Sequence, residues 1–130
     1  MEEQADYYGI DASGDTVEHG RVAATRALEI INERFAALKD KYQSGEEALA
    51  ATMFGFSRDA NTFIEICINA SNSISFKYEL PLPKKLFIFQ DIYRCELKLR
   101  SKEELCSLVK MFFDSSAMVY RDYLIACKSN

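Results

Sequence analysis

Thr62-Phe63-Ile64-Glu65-Ile66-Cys67-Ile68-Asn69, followed shortly by Ile74-Ser75-Phe76-Lys77-Tyr78-Glu79-Leu80, decides the fold class. In the first run Ile64, Ile66 and Ile68 share one parity, while Phe63, Glu65 and Cys67 share the other. In the second, Ile74, Phe76, Tyr78 and Leu80 alternate with Ser75, Lys77 and Glu79. Side chains of a strand point to opposite faces in turn, so a period of two predicts strands with one apolar face. The intervening Asn69-Ala70-Ser71-Asn72-Ser73 has turn chemistry, and the pair reads as an antiparallel hairpin. Pro81 and Pro83 close the second strand, because proline cannot donate to a ladder.

Beyond the hairpin, Phe87, Phe89, Tyr93, Cys95, Leu97 and Leu99 share a parity that Asp91 interrupts. Residues 86–99 therefore read as one bent strand or two. Met53–Ser57 supplies a further strand before the hairpin, which gives an antiparallel meander of four to five strands. Strands that follow one another without helical crossovers favour an antiparallel sheet over a doubly wound one.

Helices are expected on either side of the meander. Ala24, Leu28, Ile31, Phe35, Leu38 and Tyr42 recur at steps of four and three, which predicts one long amphipathic helix. Asp15 with Glu18 three residues on resembles a capping box, so that helix is expected from Asp15, Thr16 or Gly20. Ser44-Gly45-Glu46-Glu47 begins a second, short helix, and Ser101-Lys102-Glu103-Glu104 begins the closing one, with a break or kink at Asp114-Ser115-Ser116. The expected architecture is α+β: N-terminal helices, the sheet and a C-terminal helix in a two-layer sandwich. Residues 1–15 lack sustained periodicity and read as an acidic irregular arm, with residues 16–130 as the single domain.

At 130 residues, 48% apolar and 28% charged, the chain can bury an adequate core without metals or disulfides. The longest apolar run is Leu86-Phe87-Ile88-Phe89, far short of the ~20 residues of a membrane helix. The acidic start, Met1-Glu2-Glu3-Gln4-Ala5-Asp6, has no apolar stretch of a secretory signal. Cys67, Cys95, Cys106 and Cys127 contain no C-x-x-C pair and lie in apolar-patterned segments. They are expected to be free, mostly buried thiols in a reducing, cytoplasmic setting.

Candidate chemistry is sparse. The one histidine, His19, lies among acids and is expected to be solvated, which leaves no base for a Ser-His-Asp or Cys-His arrangement. The five glycines are scattered, with no phosphate-cradling pattern. Glu46-Glu47 and Glu103-Glu104 fall in first helical turns, where the helix dipole stabilises carboxylates. Asp11 and Asp15 lack the remainder of a calcium loop. No catalytic, cofactor or metal residues are therefore assigned, and the chain is not expected to be an enzyme.

Charge is distributed unevenly. Residues 1–19 hold six acids (Glu2, Glu3, Asp6, Asp11, Asp15, Glu18) and no lysine or arginine, although the whole chain is only −4. Residues 77–102 carry a net +4, and Arg94, Lys98 and Arg100 share one strand parity, so the outer sheet face is expected to be basic. Without stacked aromatics on that parity, a solvated face is favoured over nucleic-acid binding.

Small size, acidity and a missing catalytic set point to a protein-binding module. In overall make-up the chain resembles bacterial toxin-neutralising (immunity) proteins, which implies a basic protein partner, no membrane and no nucleic acid, with a monomer favoured. Glu2, Glu3, Asp6, Tyr7, Tyr8, Asp11 and Asp15 are the expected interface, aromatic anchors within an acidic rim. The alternatives are a type III secretion chaperone-like protein, a class usually dimeric, and a small-ligand binder with a pocket lined by Phe63, Phe76, Phe87 and Phe112.

Overall fold

The computed structural model describes residues 3–10, 13–43, 52–59, 61–69, 73–81 and 92–128. Six strands and three helices follow in the order β1 (Gln4–Ile10), β2 (Thr16–Ala23), α1 (Ala24–Gln43), β3 (Thr52–Ser57), β4 (Phe63–Ile68), β5 (Ile74–Pro81), β6 (Ile92–Leu99), α2 (Lys102–Asp114) and α3 (Ala117–Lys128). The class is α+β, with one antiparallel sheet in the order β2-β1-β3-β4-β5-β6. The meander β3 to β6 is as expected, but the sheet has six strands, not four to five.

The two additional strands come from the segment expected to be an irregular arm and a helix start. Gln4–Ile10 lies inside the sheet, paired on one side with β2 and on the other with β3. Thr16–Ala23 is strand, so the helix begins only at Ala24, and Asp15 belongs to the turn between β1 and β2. Gly14, at φ +87°, supplies the left-handed backbone of that turn. The register shifts between Tyr7 and Tyr8, and His19 is the unpaired residue beside Gly20 at φ +94°. Such a bulge breaks the period of two, which is why β2 does not read as a strand. N-terminal helices are thus replaced by a β-hairpin followed by a single described helix. The short helix expected at Ser44 and the first part of the 86–99 strand lie outside the described residues.

The core covers the parity expected from the hairpin. Ile64, Ile66, Ile68, Ile74, Phe76 and Tyr78 are all buried, joined by Phe54 and Phe56 of β3 and Cys95 and Leu99 of β6. Among the side chains of α1 that are described, Ala27, Ile30 and Ile31 are buried, while Ala24, Leu28 and Phe35 flank the core, so over this part of the helix the stripe is rotated from the one expected. From α2 and α3 come Leu105, Val109, Phe112, Phe113, Tyr120 and Leu124. Tyr120 meets Tyr78 edge-on at 4.9 Å and Phe112 at 5.5 Å, and Phe113 meets Phe56 at 5.7 Å. Edge-to-face contacts suit the ring quadrupoles, and both buried hydroxyls find acceptors. Tyr78 donates to the Ala117 carbonyl at 3.0 Å, and Tyr120 to that of Leu108 at 2.8 Å.

Ser101 caps α2 as its box predicts, accepting the Glu104 N–H at 3.1 Å. The chain then breaks at Ser115 and Ser116, and the latter's hydroxyl accepts the Val119 N–H to begin α3. Arg58, in the β3–β4 turn, closes this break from below. Its guanidinium donates to the carbonyls of Phe112 and Ser115 and lies 5.0 Å from the Phe112 ring. A cation at the carbonyl end of a helix also complements the helix dipole. All four cysteines are free, but they are not mostly buried as expected: Cys95 is buried, Cys67 and Cys106 are half-buried and Cys127 is exposed. No helix among the described residues is long and apolar enough to cross a membrane.

Candidate binding face on the sheet

Opposite the core, the sheet presents the residues of the other parity, and the strand register places them in rows. One row runs Glu18, Tyr8, Gly55, Glu65, Lys77, Glu96 from β2 to β6. The next runs Arg21, Asp6, Ser57, Phe63, Glu79, Arg94.

Gly55 shapes the first row. A Cβ there would overlap the Tyr8 ring and the Ile64 carbonyl, so only glycine lets Tyr8 lie flat across β3. The Tyr8 hydroxyl donates to the Ile64 carbonyl at 3.2 Å and to Glu65 Oε1 at 3.4 Å. Burial, with the nearby Glu65 carboxylate second, raises the Tyr8 pKa well above the usual phenol range. Tyr8 is therefore a fixed, neutral donor with its ring forming part of the floor.

The bases of the expected basic face are offset in part. Lys77 Nζ lies 3.6 Å from both Glu65 and Glu79 and 5.8 Å from the centre of the Phe63 ring. Arg94 Nε contacts Glu79 at 3.1 Å. Acids on neighbouring strands thus offset Lys77 and Arg94, whereas Lys98 donates to the Ser75 hydroxyl at 3.2 Å.

Toward β2 the balance is acidic. Asp6, Glu18, Asp59 and Glu65 line a shallow concavity of about 500 Å³, with Tyr8 and Phe63 among the residues between them. Arg21 approaches Asp6 at 3.6 Å with both side chains about half exposed, so that pair is weak. Asp59 is held by the backbone, its Oδ1 accepting the N–H groups of Asn61 at 2.8 Å and Thr62 at 3.0 Å. The arrangement can receive a cationic surface against two aromatic rings.

Of the expected interface residues, Asp6 and Tyr8 are brought together here. Tyr7 also borders the concavity, but its ring turns to the core side, stacked at 5.6 Å on Phe56 and 4.7 Å from His19. Its hydroxyl accepts an N–H of Arg34 at 3.2 Å. Glu3 precedes β1 and Asp15 sits in the turn, both exposed, while Glu2 and Asp11 lie outside the described residues. Glu18, Ser57, Asp59, Phe63 and Glu65 were missed. The off-core parity of Phe63 and Glu65 was the available signal, but their proximity to Tyr8 depends on β1 entering the sheet.

The phenylalanine pocket does not form as expected, since Phe63 is on the opposite face from Phe76 and Phe112, and Phe87 lies outside the described residues. Among the described residues no three His, Cys, Asp or Glu side chains converge as a metal site. The geometry defines an antiparallel α+β protein with an acidic, aromatic-floored sheet face. No protein-family model, curated protein or solved structure matches the chain.

Proposed function

We propose that this protein is a non-catalytic binding module that neutralises a bacterial toxin by presenting the acidic concavity to a basic surface of its partner. The convergence of Asp6, Glu18, Asp59 and Glu65 around Tyr8 and Phe63 carries this reading. Carboxylates steer a cationic partner, and rigid half-buried rings provide the contact area that holds it. The free thiols accord with a reducing cytoplasm, and in this reading the helices and the sheet form two layers that leave the acidic face for the partner.

The test is quantitative affinity capture from the native host, with wild-type protein beside a D6N/E18Q/Y8A variant. A basic protein retained by the wild type and lost by the variant, with retention falling as salt rises, is the expected result. Equal capture of the same protein by both would remove this face from the function.

A further inference from the structure

We infer, resting on the proposed role of the acidic concavity, that the group it takes from its partner is a guanidinium: an arginine side chain lying flat on the Tyr8 ring between Glu18 and Glu65. The ring forms a platform. With no Cβ on Gly55 beneath it, it crosses β3 until its hydroxyl meets Glu65 of β4. Glu18 stands at the other end, directly opposite Tyr8 on β2. The ring and both carboxylates line the same concavity of about 500 Å³. Negative charge therefore brackets the ring lengthwise.

The chain fills the neighbouring place of this kind with a cation of its own. Lys77 Nζ lies 5.8 Å from the centre of the Phe63 ring and 3.6 Å from both Glu65 and Glu79. Among the described residues no cation lies over the Tyr8 ring and no ion pair engages Glu18. The place on Tyr8 is thus left for a partner. Glu65 keeps acceptor capacity, since Tyr8 at 3.4 Å and Lys77 at 3.6 Å take one site on each oxygen. Shape then selects the cation. Glu18 and Glu65 stand three strand spacings apart, about 14 Å between backbones, so one ammonium meets only one of them. A guanidinium carries five N–H donors in a plane, is more weakly hydrated and stacks on an aromatic face while its donors point outward to carboxylates. Arginine therefore serves the ring and both acids together, whereas lysine serves the ring and one.

Hexa-arginine and hexalysine peptides carry equal charge and differ in the shape of the cation. Titrated calorimetrically into the full chain at low ionic strength, hexa-arginine is expected to bind at least about threefold more tightly. Tyr8→Leu keeps every carboxylate and is expected to bring the two affinities together. Tyr8→Phe keeps the ring and is expected to keep the preference, with circular dichroism checking that each variant is folded. Nuclear magnetic resonance on the wild type needs no variant: side-chain protons of the bound arginine are expected to move upfield and show Overhauser contacts to the Tyr8 ring. Equal affinities overturn the inference but leave an acidic face that takes lysine as readily, so the proposed function survives. A preference that folded Tyr8→Leu preserves, or bound arginine without contact to Tyr8, overturns it as well. Binding of neither peptide overturns both the inference and the role of the concavity.

Discussion

A methyl group on Gly55 would overlap the Tyr8 ring, so Gly55→Ala should lift the ring from β3 and break its bond to Ile64. The expected cost is about 1–3 kcal/mol in urea titration, the range for overpacking a close contact. Arg58→Ala removes the donors at the end of α2 and should cost about 1.5–3 kcal/mol by the same measurement, as for hydrogen bonds to a charged group. Tyrosine ionisation offers a further check. Burial pushes Tyr78 up to about 12 from its ordinary value of 10.0. A phenol that resists ionisation in the folded state stabilises it fully below the unfolded pKa. That contribution should fade as pH rises from about 10 through 12. Phenolate absorbance should therefore develop in two stages, with the late stage coinciding with unfolding. A single stage near the ordinary value would contradict the burial of Tyr8, Tyr78 and Tyr120.

At the scale of elements, legibility in the sequence followed regularity. β4 and β5 alternate without a break, and their apolar parity is the buried one in the structure. The Ser101 box was equally plain because a cap is a local hydrogen bond between near neighbours. The hairpin of β1 and β2 was hidden by the His19 bulge, by charged residues and by Gly9, buried but with no side chain to mark a pattern. In α1 the stripe was legible but its centre was not, since Ile30 replaces Phe35 among the fully buried positions. Ile31→Ala should accordingly cost about 2–5 kcal/mol, and Phe35→Ala less than a full aromatic deletion. Removing residues 1–10 should unfold the protein, because β1 lies between β2 and β3 rather than trailing from the domain. Retained near-ultraviolet circular dichroism after that truncation would show that the sheet can do without it.

For the molecule as a whole, the acidic concavity was only partly legible. Asp6 and Tyr8 stood out through the charge bias of the N-terminus, whereas Glu65 and Asp59 join them only through the β1–β3 pairing. If that face receives a basic partner, D6N/E18Q should slow association and flatten its salt dependence, with little change in dissociation, as measured by stopped-flow. Tyr8→Ala should instead hasten dissociation. A dimeric mass would add weight to the secretion-chaperone alternative, and these face variants would then separate the two functions.

The strand order also carries a consequence for how the chain reaches this state. β1 is translated before the other described strands of the sheet, yet its second neighbour, β3, follows only after β2 and the 20 residues of α1. The meander from β3 to β6 closes short loops, while seating β1 against β3 must close a long one, at a greater entropic cost. The N-terminal hairpin should therefore dock late, onto a meander already assembled. During synthesis the rows that form the acidic face would then be incomplete, and a partner that needs them would meet its surface only when folding ends.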